Sequence, residues 1–510
     1  MINNVFDLLL YNFDKKKDNI AIKTDAIHKS YAEMLYDINV FSSKLRKIGL
    51  KKNNRIGIYL PNSYAFTVTF FSLQKIGCTV ILINYENWII NLKHIIQDSN
   101  LDYIITADEK MNELYNLPDC PVLNFQTINL SRIAIKDIQN ENKELHTAIP
   151  DDVSLIIYTS GSTGFSKGVI LTHANVVAGT KIVANYLQIN EHDILLGLLP
   201  FSFDYGLNQL LTVILRGASI FIKYPISFFE IPSVIDNNSI TGFAGVPSIW
   251  INLVGLLGEK KVFKSLRYIT NSGGAIPQIV LDKLQNAFSF ADVFLMYGLT
   301  ECYRCSFLKP SSFQRKKGSI GKAIPGCEIM IVNENNKLCQ VGEIGQLVFR
   351  GPTVGKGYLN CPEETRLVFR KNPFNSLYSE TVIYSGDYAY VDDDGYYYFV
   401  GRKDGQLKKN GYRFNVQTIE NEIYRCKDVI ECCILSKKNK NNEDDLYLFI
   451  KAENKQNTDD LKKKIYLEVI NNMPNYMHPQ RIIFLDEIPK QYNSKYSYVE
   501  LNRILDKATK

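Results

Sequence analysis

"RIGIYLPNSYAFTVTFFSLQKIGCTVILIN", residues 55–84, decides the fold. Arg55 to Leu60 is an almost continuous apolar run and reads as a strand. Ser63 to Gly77 is an apolar helical segment, closed by a glycine that can leave the helix left-handed without steric cost. Thr79 to Asn84 reads as a second strand. Strand, helix and strand in that order make a βαβ unit, the building block of a parallel sheet covered by helices. Working outward, the pattern recurs in "NLKHIIQDSN" followed by "LDYIITA", and in "PQIVLDKLQNAF" followed by "DVFLMYG". "DVSLIIY" and "ASIFI" are unbroken apolar runs, as expected of strands buried on both faces. Thr172 is placed to cap a helix through "ANVVAGTKIVANYL".

Just before that cap lies "YTSGSTGFSKG", residues 158–168, between the apolar runs Val153–Ile157 and Val169–Leu171. Glycines Gly161 and Gly164 let backbone N–H groups approach a ligand closely, and Thr159, Ser160, Ser162 and Thr163 add short donors. Lys167 is the one cation, so a polyphosphate fits better than a bare hairpin turn. No Gly-Lys-Ser/Thr follows a Gly at the Walker spacing, which argues against a P-loop nucleotide hydrolase.

The 510 residues are 45% hydrophobic, enough for a large core and more than one domain. A net charge of +6 is too mild and dispersed to indicate nucleic acid as a partner. The N-terminal residues have no basic start and apolar core of a signal peptide, and no stretch reaches the length of a membrane span. The ten cysteines are scattered, as in a reducing cytoplasm, and the pair in "CYRC" (Cys302, Cys305) has no second pair to complete a zinc site. From Cys327 to Arg350 short β-rich runs suggest a small β subdomain. Beyond "YYYFVGRKDG" the composition shifts, with "DVIECCILSKK" and "DDLYLFIKAE" as strands and a helix opened by Thr458. The expected organisation is an α/β N-terminal domain, residues 1–403, and a smaller α+β C-terminal domain, residues 404–510.

Five segments in a fixed order then carry a resemblance: "YTSGSTGFSKG", "YGLTE" (297–301), "YSGD" (384–387), "GRKDGQLKKNGYR" (401–413) and "PKQYNSK" (489–495). Together they resemble the AMP-forming adenylating superfamily of acyl-CoA synthetases, nonribosomal amino-acid adenylation domains and luciferases. The resemblance implies stacked αβαβα-type sheets, a β subdomain and a mobile C-terminal domain. It also implies two half-reactions. A carboxylate attacks the α-phosphate of ATP to give an acyl-adenylate and pyrophosphate, and a phosphopantetheine thiol then displaces AMP.

By the same resemblance, Lys167 and the loop hold the β- and γ-phosphates, Thr300 bonds the α-phosphate, and Glu301 holds Mg²⁺. Tyr297 stacks on adenine, with Gly273, Gly274 and Ala275 along its edge. Asp387 and Arg402 receive the ribose hydroxyls. Asp404 is the interdomain hinge, Lys495 serves adenylation, and Lys408 enters the site in the second conformation. The usual Asn-Gly-Lys reads Asn493-Ser494-Lys495 and lacks the following Asp-Arg, so Lys490 stands as the second candidate for the adenylation lysine.

"FSFDYG" bears on the acid. Phe203 stands where many acyl- and aryl-CoA ligases carry a gating His, and an aromatic followed by Asp204 resembles amino-acid adenylation domains, whose Asp pairs with the substrate ammonium. A carboxylate facing an apolar pocket is costly unless a cation meets it. The other readings of Asp204 are a helix cap or a solvent-facing side chain. Tyr205 and Asn208 follow as candidates for side-chain selection, Asn208 on the helical face of Asp204. The expectation is an amino-acid-activating enzyme delivering to a free-standing carrier protein. An acyl-CoA or acyl-carrier-protein synthetase acting on a fatty or other acyl acid is the alternative within the family, and a non-catalytic nucleotide-binding protein the alternative of another class.

Overall fold

The computed structural model describes residues 2–85, 89–107, 121–126, 148–159, 166–257, 263–374, 380–402, 406–409, 412–426, 428–438, 444–453, 458–491 and 496–508. In the stretch at residues 55–84, strands Arg55–Tyr59 and Thr79–Leu82 pair in parallel, with Ile56 opposite Val80. The helix Tyr64–Ile76 crosses between them. Ser63 caps it by accepting from the Phe66 N–H at 3.1 Å, and Gly77 ends it at φ +86°. Its buried Phe66, Phe70, Phe71 and Leu73 each contribute about 1.5–3 kcal/mol of apolar burial.

Around this unit a seven-stranded sheet forms, in the order Gly357–Tyr358, Lys167–Thr172, Val153–Thr159, Thr79–Leu82, Arg55–Tyr59, Tyr103–Thr106, Val122–Asn124. The strands from Val153–Thr159 to Val122–Asn124 are parallel; Lys167–Thr172 and Gly357–Tyr358 each join antiparallel. The glycine-rich segment is therefore the connection of an edge hairpin. Its strands run further than the sequence suggested, with Thr159 opposite Lys167, so the connection is residues 160–166. Thr172 caps the next helix, His173–Tyr186, through a reciprocal box with Asn175.

A second sheet has a parallel core in the order Ile20–Lys23, Ser219–Phe221, Ile194–Leu196, Gly242–Gly245, Tyr268–Asn271, Asp292–Tyr297. It continues antiparallel through Ser306–Leu308 and Ser319–Ala323 into the β-rich region. That region includes the expected Glu328–Val332 and Gly345–Arg350, and extends to Thr381–Val391 and Tyr397–Arg402. The β subdomain is thus hydrogen-bonded to the parallel core.

The smaller C-terminal domain holds a three-stranded sheet, Val429–Lys438 antiparallel to Asp444–Ala452, with Arg481–Phe484 parallel on the other side. Helices Val416–Ile423, Thr458–Asn472 and Tyr498–Ala508 accompany it. The fold is the expected α/β architecture, a large N-terminal sheet domain followed by a smaller α+β domain. The hinge candidate Asp404 lies outside the described residues. Among the described residues no helix is long and apolar enough to cross a membrane.

Candidate active site

The parallel strands of the second sheet end at a cavity of about 360 Å³. Its lining includes Thr159 and Lys167 from the edge hairpin, Gly273 after Tyr268–Asn271, and Thr300 and Glu301 after Asp292–Tyr297. It also includes Phe203, Asp204 and Tyr205 at the start of the helix Asp204–Arg216, and Arg402 from the β subdomain. Carboxyl ends of parallel strands are where α/β sheets present their sites, because loops and helix N-termini converge there.

At the end formed by the edge hairpin, Lys167 Nζ lies 5.8 Å from the centre of the Tyr358 ring and 3.6 Å from a Glu364 carboxylate oxygen. The Tyr358 hydroxyl donates to Glu301 Oε1 at 2.6 Å. Burial, with Glu301 beside it, holds the Tyr358 phenol well above its usual range, so it remains a donor. Lysine, tyrosine and glutamate form one polar chain along the wall. Sequence reading missed Tyr358 and Glu364; Tyr358 sits on the two-residue strand Gly357–Tyr358 that pairs with Val169–Ile170, a long-range pairing with no local signal. Thr159 stands at the hairpin mouth, its hydroxyl 3.5 Å from the Lys167 carbonyl. Ser160, Gly161, Ser162, Thr163 and Gly164 lie outside the described residues.

Toward the β subdomain, Asp387 and Arg402 sit opposite each other on paired strands, with Arg402 Nε 3.2 Å from Asp387 Oδ1. The Tyr297 hydroxyl donates to the other Asp387 oxygen, and Asp387 itself is buried. Three of the residues assigned to nucleoside recognition are thus one cluster. Ser385, unassigned from sequence, also lines the cavity, and its hydroxyl accepts from the Asp387 N–H at 3.0 Å. Gly273, Gly274 and Ala275 form an exposed turn before the helix Gln278–Ala287, tied by Asn271 Nδ2 to the Gly274 carbonyl at 3.0 Å.

At the other end of the cavity, Phe203 is the N-cap residue and Asp204 the first residue of the helix, where the helix dipole favours a carboxylate. Gly206 lets this first turn press onto the chain: a Cβ there would lie 2.0 Å from the Pro200 carbonyl oxygen. Asp204 has a cation of the protein's own beside it. Arg304 Nη1 lies 3.4 Å from Asp204 Oδ2, and its guanidinium stacks 4.8 Å from the centre of the Tyr205 ring. The sequence held a signal for it, since Arg304 is the lone charge in the apolar run "CYRCSFL". Tyr205 is buried and bonded to Thr270 Oγ1 at 2.6 Å. Asn208 is buried one turn on, 3.4 Å from the Tyr303 hydroxyl, and lines a separate cavity of about 20 Å³.

The turn that presents Arg304 is strained. Tyr303, fully buried, adopts φ +54° and ψ −43°, a conformation costing about 1–3 kcal/mol for such a residue. Cys302 and Cys305 flank it as buried thiols. No group of three or more His, Cys, Asp or Glu among the described residues converges as a metal site.

In the C-terminal domain, Lys490 is committed elsewhere: its Nζ lies 2.9 Å from Glu431 Oε1, and Glu431 is fully buried. Lys495 and the hinge Asp404 lie outside the described residues. Lys408 is on the strand Gln406–Lys409, and its side chain is outside the description.

Comparison with known proteins completes the assignment. Residues 11–359 match the AMP-binding enzyme family, and residues 418–495 the AMP-binding enzyme C-terminal domain. Gramicidin S synthase 2 of Aneurinibacillus migulanus is 27% identical over 94% of this chain, which spans only 10% of that relative's length. The 4-coumarate--CoA ligase-like 6 of Arabidopsis thaliana is 25% identical over 90% of this chain and 82% of its own. The crystal structure of the anthranilate CoA ligase AuaEII with anthranoyl-AMP shares the fold at a TM-score of 0.87 and 22% identity, covering 100% of this chain and 99% of that one. With both family segments in order along one chain, the protein belongs to the AMP-binding enzyme family, the superfamily of AMP-forming adenylating ligases.

Proposed function

We propose that this enzyme activates an amine-bearing carboxylic acid with ATP and transfers it to a phosphopantetheine thiol. The observation that carries the reading is the single cavity lined at one end by Lys167, Thr300 and Glu301 and at the other by Phe203, Asp204 and Tyr205. Nucleotide phosphates and acid therefore meet in one chamber. A carboxylate oxygen of the acid attacks the α-phosphorus, and the bond to the β-phosphate breaks with pyrophosphate leaving. The thiolate then attacks the acyl carbon, and AMP departs. AuaEII in complex with anthranoyl-AMP supports the reading, since that ligand is such an acyl-adenylate.

In this reading Thr159, Lys167 and the loop at Ser160–Gly164 hold the leaving phosphates, and Thr300 the α-phosphate. Tyr297, Gly273, Gly274 and Ala275 receive adenine, and Asp387 with Arg402 the ribose. Glu301, a single carboxylate held by Tyr358, suits Mg²⁺ bound through one protein ligand and substrate phosphates; the ion would offset charge on the phosphoryl oxygens. The C-terminal domain, residues 404–510, turns about Asp404 to present Lys495 for adenylation and Lys408 for thiol transfer. Dependence on ATP and a phosphopantetheine acceptor suits a cytoplasmic location.

Asp204 reads the amine. One observation favours the acyl-ligase alternative: Arg304 already supplies Asp204 with a cation, so an uncharged acyl chain would leave no carboxylate unpaired. ATP–pyrophosphate exchange over a panel of amino, fatty and aryl acids separates the two. The amino-acid reading expects exchange that Asp204→Asn lowers by several hundredfold, in line with losing a buried charge partner. Exchange driven by fatty or aryl acids and by no amino acid overturns it.

A further inference from the structure

The acid end of the cavity contains a buried cation with unused donors. Arg304 is 2% exposed and lines the cavity beside Asp204 and Tyr205. Nη1 donates to the Tyr303 carbonyl at 3.0 Å and reaches Asp204 at 3.4 Å. Nε and Nη2, both buried, have no hydrogen-bond partner among the described residues. A guanidinium has five N–H donors in a fixed fork, and leaving buried donors unmade is costly. A counter-ion present only to neutralise Asp204 would use the two-pronged contact that arginine and carboxylate prefer. Here a single nitrogen makes one long contact.

Elements from three directions hold the guanidinium in place. Tyr205 lies under its flat face, the buried Tyr303 turn fixes its backbone, and Thr353 Oγ1 bonds its carbonyl at 3.4 Å. The tyrosines around it (Tyr186, Tyr205 and Tyr303) have phenols that burial raises, and the carboxylate facing it from these elements is that of Asp204. The remaining donors fit a planar, two-oxygen anion.

We propose that Arg304 binds a second carboxylate of the acid substrate, one that is not activated. This rests on the amine reading of Asp204 and deepens it to a substrate class, the amino dicarboxylic acids. Charge balance points the same way. A second carboxylate alone would leave Asp204, Arg304 and the substrate group at a net negative charge in a buried site. An ammonium on Asp204 and a carboxylate on Arg304 give alternating charges that sum to zero.

The test is ATP–pyrophosphate exchange with amino dicarboxylic acids, their side-chain amides, neutral amino acids, amine-free dicarboxylic acids and fatty acids. Amino dicarboxylic acids should drive exchange. Arg304→Gln should lower kcat/KM for them about a hundredfold or more, chiefly through KM, and shift preference to the corresponding amide. A merely structural arginine would not move that preference. Because Arg304→Gln orphans Asp204, the double variant Asp204→Asn/Arg304→Gln, which leaves neither charge buried alone, is the folding control, checked by its unfolding midpoint. Exchange driven by neutral amino acids but not by amino dicarboxylic acids overturns the Arg304 assignment and leaves the amine reading intact. Arg304-dependent exchange with amine-free dicarboxylic acids supports the assignment and overturns the amine reading. Exchange with fatty acids alone overturns both. If no acid supports exchange, and saturating dicarboxylic and amino dicarboxylic acids leave the unfolding midpoint unmoved, the Arg304 site is also overturned.

Discussion

Replacing Lys490 by methionine separates two jobs that one lysine near a C-terminal "PK" could hold. Glu431, fully buried on the strand Val429–Lys438, has Lys490 as its ion-pair partner at 2.9 Å; neither carboxylate oxygen has a hydrogen bond among the described residues. Removing the lysine leaves a carboxylate buried without a cation, a loss of about 3–5 kcal/mol. For a domain with a urea slope of ~2 kcal/mol/M, the midpoint of its transition should fall by about 2 M. Urea unfolding reports this directly, and exchange per folded molecule should stay near wild type. The double variant Glu431→Gln/Lys490→Met should recover most of the lost stability, because no charge is then orphaned. If Lys490→Met leaves the midpoint in place and abolishes adenylation, the structural role is wrong and Lys490 is the adenylation lysine.

Three further outcomes are expected. Lys167→Ala or Glu301→Ala should slow adenylation on the order of a hundredfold, as losing an electrostatic contact to the reacting phosphates does; wild-type exchange rules out the assignment. Lys495→Ala should block adenylate formation yet transfer a supplied acyl-adenylate to thiol, and Lys408→Ala should do the reverse, read by single-turnover assays of each half-reaction. Burial raises the Glu420 carboxyl from 4.5 to about 7, against a hydrogen bond from the Ile434 N–H at 3.0 Å. The folded state then holds a proton that the unfolded chain releases, so stability falls as pH rises from 4.5 to 7. Glu420→Gln should therefore stabilise by up to about 3 kcal/mol above pH 7 and by little below pH 4.5, measured by unfolding at both pH values.

Periodicity and punctuation made the fold legible. The βαβ unit at residues 55–84, the Thr172 cap and the C-terminal strands all have local causes, and local causes are visible in a sequence. Pairings between distant segments were not visible in that way. Tyr358 reaches Glu301 because a two-residue strand joins the edge hairpin nearly two hundred residues away in sequence. The β subdomain merges with the main sheet through Ser319 opposite Tyr398. Motif order located Lys167, Glu301, Asp387 and Asp204 in the chain, but motifs describe positions and say nothing of partners. Hence the Asp204–Arg304 pair and the Glu431–Lys490 pair emerged only in three dimensions.

The central claim is acid-dependent formation of AMP. Incubating the purified chain with ATP, Mg²⁺, the activating acid and a phosphopantetheine thiol, then resolving the nucleotide products, tests it most directly. The account predicts AMP and pyrophosphate in equal amounts, formed only when acid is present and about a hundredfold more slowly in Glu301→Ala. Formation of ADP and phosphate, or nucleotide binding with no turnover by any acid, would contradict it.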